Sequence, residues 1–237
     1  VPANPNLFVT IALRIGTPIE DQLIAMAKAK GATNIIEVSL ANEKTLNQLR
    51  DTTTKIALEQ LTLAKEQPRL AAPISAIVLG LECGGSDAYS GITANPALGV
   101  ASDKLVEQGA TSILGETMEI LGAEHLLAAR AVSKEVGQQI IDVVARYEKS
   151  INYEGIDIRG AQPSRGNIEG GLSTLEEKSL GAAKKAGNAP FTGTLEFGEI
   201  PKVAGLYFMD TPGHDIEQLA GFGAGHINVV VFTSGRG

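Results

Sequence analysis

The sequence predicts an α/β protein with a mostly parallel, doubly wound, Rossmann-like sheet, divided into two α/β subdomains, residues 1–72 and 73–237. Three observations predict it. Short apolar runs alternate with stretches of helical period, the pattern of strands joined by helical crossovers. Polar, glycine-containing loops follow the apolar runs, where parallel sheets gather ligands. A length of 237 residues suits one large or two small domains.

Taken in order, Leu7–Leu13 reads as a buried strand, followed by a loop through Pro18 and a helix from Ile19 to Lys30 that Gly31 stops. Asn34–Leu40 is the next strand. A long helix follows from Glu43 to about Gln67, with Leu46, Leu49, Ile56 and Leu63 on its stripe and Pro68 at its end. The apolar run from Ile74 is a strand ending near Leu81, which leaves Cys83 just past it, and Thr111–Gly115 is another. One helix is expected from His125 to Lys149, because Val136, Ile140, Val143, Val144 and Tyr147 fall on one face. Gly155–Gly171 breaks the regularity as a linker or active-site loop. Strands Gly205–Met209 and Asn228–Phe232 close the chain.

Hydrophobic residues make up 43% and charged residues 20%, the balance of a packed globular protein. A net charge of −7 argues against nucleic acid or an anionic membrane as partner, so an anionic substrate must be met by local cations. No signal-peptide pattern is present, and no apolar run is long enough to span a bilayer. A lone cysteine forms no internal disulfide, in keeping with a cytoplasmic protein, and excludes an iron–sulfur cluster held by thiolates of this chain alone. No glycine-rich phosphate loop follows a strand, so no nucleotide is expected.

The chemistry gathers in a few stretches. Cys83 stands where an apolar run breaks into Gly84-Gly85-Ser86-Asp87, and reads as a metal ligand, a nucleophile or a small turn residue. The two glycines let backbone amides approach a ligand closely. Glu116 and Glu119, with Glu124-His125, group carboxylates and an imidazole around a strand end and a helix start, as ligands, proton carriers or simple dipole partners. His214 and His226 are weaker candidates. Glu176–Ser179 reads as a charged helix face, and Arg236 as a carboxylate clamp or a solvated residue.

These residues also carry a resemblance. Leu81–Asp87, Ser90–Gly99, Glu116-Thr117 with Glu119, Gly122–His125, Gly166-Asn167, Gly170–Leu172, Glu177–Gly181, Met209–Gly213 and Gly235–Gly237 resemble the signature of the altronate/galactarate dehydratases. The likeness is dense from about residue 79 onward and weak before it. It implies a cytoplasmic lyase that removes water from a sugar acid to give a 2-keto-3-deoxy acid. A divalent metal is implied with it, Fe²⁺ or a substitute such as Mn²⁺. A sister group, the large subunit of sulfolactate sulfo-lyase, expels sulfite, and a non-catalytic sugar-acid-binding or assembly subunit is a further alternative. On this resemblance Cys83 and His125 are expected as metal ligands. Glu116, Glu119, Lys178 and Arg236 are the expected catalytic residues. Gly84, Gly85, Ser86, Asp87, Asn95, Asn167 and Asp210 are the expected substrate-binding set. Arg14-Ile15 replaces a Cys-Glu pair common in the family. The resemblance also implies a separate small subunit, a homo-oligomer and a chain that continues past Gly237.

Overall fold

A computed structural model describes residues 10–14, 18–29, 35–43, 45–66, 68, 70–152, 155 and 157–235. The chain divides into two compact units, Val1–Ala71 and Ala72–Gly237.

In the first unit, strand β1 (Thr10–Arg14) is followed by helix α1 (Pro18–Ala29) and strand β2 (Ile35–Ser39), which pairs in parallel with β1 from Thr10↔Ile35 to Arg14↔Ser39. Proline at the first position of α1 lacks only an N–H that would be unsatisfied there. Glu20 and Asp21 in the first turn and Lys28 in the last suit the helix dipole. A short helix, α2 (Leu40–Glu43), precedes α3 (Leu46–Glu66). The apolar stripe expected along α3 buries none of its residues, and Leu46 and Leu63 are exposed. Helical period therefore located the helix without locating a partner for its face.

The second unit carries strand β3 (Val78–Cys83), helices α4 (Ala88–Ile92) and α5 (Ala94–Glu107), and strand β4 (Thr111–Leu114). Helices α6 (Glu124–Ala128), α7 (Lys134–Asn152), α8 (Arg165–Glu169) and α9 (Leu175–Ala183) follow. Strands β5 (Phe191–Leu195) and β6 (Gly205–Met209), helix α10 (Asp215–Ala224) and strand β7 (Val229–Thr233) complete it. The strands lie in the order β5-β6-β4-β3-β7, and every pairing is parallel. Parallel strands send all their carboxyl ends to one edge. That edge is where the polar loops are.

Strand alternation sorts the side chains between the two faces. Leu79, Leu81, Leu114, Leu206 and Phe208 face the larger core, with Leu98 of α5, Leu127 of α6, Ile140, Val143 and Val144 of α7 and Ala182 of α9. Ile113, Tyr207 and Met209 face the smaller core, which Phe222 of α10 fills. Helices on both faces make the sheet doubly wound.

Several sequence expectations shift in position. The run from Ile74 opens as a single 3₁₀ turn, Ile74–Ala76, so β3 begins later and Cys83 is its last residue rather than one just beyond it. The helix expected from His125 to Lys149 is two, α6 and α7. The break falls where the backbone of Arg130 and Val132 bonds to Phe191 of β5, a strand the sequence reading did not anticipate. The buried face read from Val136 onward belongs to α7 alone. After α9, a 3₁₀ turn, Lys184–Ala186, packs onto α5 at Gly99, where a Cβ would stand only 2.9 Å from the Gly187 nitrogen. Asp103 of α5 holds the same turn by accepting from the Asn188 and Ala189 backbone N–H groups at 2.8 Å. This turn matters because it carries Lys185.

Candidate functional site

The β3–β4 pairing sets Leu81 opposite Leu114, so the residues just after each meet at the same edge. Cys83 ends β3, and Glu116 comes two residues after β4. Between them, Gly115 has no room for a side chain: a Cβ there would lie 2.7 Å from both Gln218 Nε2 and Thr211 Oγ1. Glu116 takes a left-handed conformation, φ 61° and ψ 63°, which costs a residue with a Cβ on the order of 1–2 kcal/mol. Its backbone N–H donates to Thr211 Oγ1 at 2.7 Å, and Thr117 N–H to the Thr211 carbonyl at 3.0 Å, which offsets that cost. The reversal turns the Glu116 carboxylate back toward Cys83. A 3₁₀ turn, Thr117–Ile120, then brings Glu119 in beside it.

The resulting cluster is fully enclosed. Cys83, Glu116 and Glu119 are each buried, and their Sγ and carboxylate oxygens lie within 4.8 Å of one another. The Cys83 thiol donates to Glu119 Oε2 at 2.8 Å and, more weakly, to Glu116 Oε1 at 3.5 Å. Glu119 also accepts from Ser86 Oγ at 3.2 Å and pairs with Lys178 Nζ at 3.4 Å. Glu116 Oε2 accepts from the Cys83 N–H at 3.3 Å and is in direct contact with Lys185 Nζ. Lys185 has no exposed surface. It was not anticipated from the sequence. Lys178, Ala182 and Lys185 nevertheless fall at i, i+4 and i+7, which puts both ammonium groups on one helical face.

Burial pushes the Cys83 thiol well above its ordinary range, and the Glu119 charge adds to that, so the sulfur carries its proton at neutral pH. Burial also raises Glu116, to about 7, against the pull of Lys185. For Glu119 burial works against ionisation, but Lys185, Lys178 and the bonds from Cys83 and Ser86 outweigh it and lower the pKa. Lys185 is likewise raised although burial opposes its charge, through Cys83, Glu116 and Glu119. The anions facing it are the two carboxylates, since the same burial keeps the thiol protonated.

A soft sulfur and two hard oxygens, buried together, form a donor set that suits a first-row transition metal. Beside it lies a cavity of about 220 Å³, lined by Ser86 and Lys178 together with α4 and the α9 face. Ser86 and Lys178 touch both the cavity and Glu119, and so join the two parts of the site.

The other sequence candidates distribute differently. His125 is exposed on α6, and among the described residues it does not join Cys83 in a convergent donor group; Glu116 and Glu119 do. The helix break at residues 129–133 and the turn of Glu124 toward Arg159 leave that end of α6 at the surface. Asp87 caps α4 by accepting from the Tyr89 and Ser90 N–H groups at 2.8 and 3.0 Å, and receives Gly235 N–H at 3.2 Å. Asn167 donates to the Ser86 carbonyl at 2.9 Å, and Asn95 bridges Thr233 Oγ1 and the Gly181 carbonyl. Asp210 accepts from Thr117 Oγ1 and Arg146. These four residues hold the walls of the site. Gly84 bonds to the Thr233 carbonyl, and Gly85 is exposed in the turn. Arg236 lies outside the described residues, and Arg14 is placed only as the end of β1.

Glu82, next to Cys83, points to the opposite face of the sheet. It has no exposed surface, and among the described residues neither carboxylate oxygen has a hydrogen-bond partner. Burial, then the charge of Glu116, pushes its pKa from 4.5 to about 8. The unfolded chain releases this proton near 4.5, while the folded protein keeps it to about 8, so stability falls as pH rises through that window. Glu82→Met is expected to raise thermal stability by about 1–3 kcal/mol at pH 8 and by less at pH 5. Melting followed by circular dichroism at the two pH values tests this. An equal gain at both would rule out ionisation as the cause.

Residues 74–237 match the family described as D-galactarate/Altronate dehydratase, C-terminal. The chain is 36% identical over 99% of its length to the altronate dehydratase of Bacillus subtilis, of which it covers 47%. It is 41% identical over 84% of its length to the galactarate dehydratase (L-threo-forming) of Escherichia coli, covering 38% of that protein. It is 34% identical over 99% of its length to the (2R)-sulfolactate sulfo-lyase subunit beta of Chromohalobacter salexigens, covering 60%. The chain therefore spans roughly half the length of these relatives, and the likeness extends before residue 79, further than the signature motifs reach.

Proposed function

Since the chain belongs to the D-galactarate/altronate dehydratase C-terminal family, we propose that its second unit carries the centre of a hydro-lyase that dehydrates a sugar acid to a 2-keto-3-deoxy acid. The observation that carries this reading is the buried Cys83–Glu116–Glu119 donor group beside a cavity of about 220 Å³ with Lys178 in its wall.

Dehydration of this kind takes a weakly acidic proton from the carbon next to the carboxylate and expels the β-hydroxyl as water. The resulting enol rearranges to the ketone. Negative charge grows on the carboxylate oxygens as the proton leaves, so the site must supply positive charge there. A divalent metal held by Cys83, Glu116 and Glu119 would supply Lewis acidity, and Fe²⁺ is the ion that the resemblance to the dehydratases implies. Lys178 supplies the second positive charge and is placed to receive the substrate carboxylate, since it lines the cavity and is steadied by Gln162 Oε1 at 2.8 Å. Ser86 keeps one Glu119 edge occupied and fixes the carboxylate's plane. Glu119 is the candidate proton acceptor or ligand, held ionised by its neighbours. Because Cys83 must stay reduced to serve as a ligand, the reading places the protein in a reducing compartment.

A second reading has its own support: the sulfo-lyase subunit beta is matched over 99% of this chain and to 60% of its own length. Elimination of sulfite needs the same stabilised carbanion and differs in the pocket for the leaving group. A relative named as a subunit also supports a separate small partner subunit for this chain. Anaerobic protein loaded with Fe²⁺, with and without candidate small subunits, is to be tested on altronate, galactarate and sulfolactate. Keto-deoxy product from a hexonate or aldarate supports the dehydratase. Sulfite from sulfolactate alone reverses the order. Metal and sugar-acid binding without turnover in any combination would favour a binding or assembly subunit.

A further inference from the structure

We propose that Lys185 sets the charge of the donor group, weakening its hold on the metal so that the loaded site is left positive and selects an anion. This rests on the metal reading above. Lys185 is wholly buried, contacts Glu116 Oε2, and is absent from the cavity wall, so it acts through Glu116 and not on substrate. Its place is built in: Asp103 of α5 pins the turn that carries it, and Gly99 gives that turn its close seat on the helix.

The consequence follows from counting charges. With both carboxylates ionised and the thiol protonated, Glu116 and Glu119 stand against the ammonium groups of Lys185 and Lys178, which they contact directly. The group is balanced, which explains how two acids and a cysteine can be packed together out of water. A divalent metal that displaces the thiol proton adds two positive charges and one negative, leaving one unbalanced positive charge in a buried site. An incoming carboxylate cancels it. Without Lys185 the same loading would end at neutrality, so metal would bind more tightly and the anion more weakly. A lysine that merely steadied Glu116 as a ligand would have the opposite signature, because loss of a partner to a ligating carboxylate typically weakens metal binding about 10–100-fold.

The experiment compares wild type with Lys185→Met using Co²⁺ as the probe, competed against a chelator, followed by titration of the loaded proteins with galactarate. Tighter Co²⁺ binding by about 10-fold or more, with weaker galactarate binding by a similar factor, is expected. Unchanged or weaker Co²⁺ binding in Lys185→Met overturns the proposal and makes Lys185 a simple brace. If wild type itself takes no Co²⁺, the metal reading fails, which is a distinct outcome. Should Lys185→Met fail to fold, Glu116→Gln/Lys185→Met removes the buried pair together and keeps the loaded charge at its wild-type value. That variant should hold Co²⁺ less tightly, having lost a charged donor, yet bind galactarate as wild type does once loaded. Galactarate binding lost in the loaded double variant would also overturn the proposal.

Discussion

Glu119→Gln is expected to empty the site of metal and to lower turnover of the sugar acid by about 10³-fold or more, on the scale of losing one electrostatic partner of a transition state and a ligand together. Glutamine keeps the size of the side chain and leaves Cys83 and Ser86 an acceptor oxygen, so the change is one of charge more than shape. Charge is what the position provides: Glu119 is buried and is held ionised against the cost of burial by Lys178, Lys185 and two hydrogen bonds. In the variant both lysines face one remaining carboxylate, which disfavours a further cation. Metal content by elemental analysis and an anaerobic rate assay give the result, with circular dichroism to show that the fold survives. Wild-type metal content and rate in a folded variant would take Glu119 out of both the ligand set and the chemistry.

Lys178→Met separates the cavity from the metal. Its ammonium is no metal ligand, so metal content should hold, while kcat/KM should fall by about 10²–10⁴-fold as the substrate carboxylate loses its cation. Methionine keeps most of the apolar stem in a position where only 5% of the side chain is exposed. The stability cost is thereby kept apart from the chemical one. The discriminating measurement is the affinity for an inert sugar acid. A drop in affinity alongside the drop in rate places the lysine on the carboxylate; a loss of rate at unchanged affinity makes it a proton carrier instead. A fully active variant would leave the cavity without its assigned cation.

Some of this site was legible in residue order and some was not. Cys83 was marked by its place at the boundary between an apolar run and a glycine pair, and the carboxylates by their grouping around a strand end and a helix start. Both signals are local, because a strand end and one helical turn are local structures. His125 had an equally good local signal, a histidine beside acids at a helix start, but α6 leaves it exposed and outside the group that Cys83 joins. The helix that carries it also stops early, where Arg130 and Val132 pair through the backbone with Phe191, some 60 residues away in sequence. Lys185 had the reverse fate. It drew no reading from residue order, and it is fully buried because α5 closes over its turn.

By itself the sequence determined the fold class and the edge at which chemistry is found. Alternating apolar runs and helical stretches force parallel strands, and parallel strands force their following loops to one side. Which side chains meet at that edge was a tertiary matter. Strand order, the left-handed reversal at Glu116 and the closing of two ammonium groups over two carboxylates all arise from contacts between separate elements: Leu79 with Val229, 150 positions apart, Glu116 with Thr211, 95 apart, and Lys185 with Glu116, 69 apart. The physical reason is that backbone periodicity is set within a few residues, whereas buried charges find their partners only when separate elements pack and exclude water.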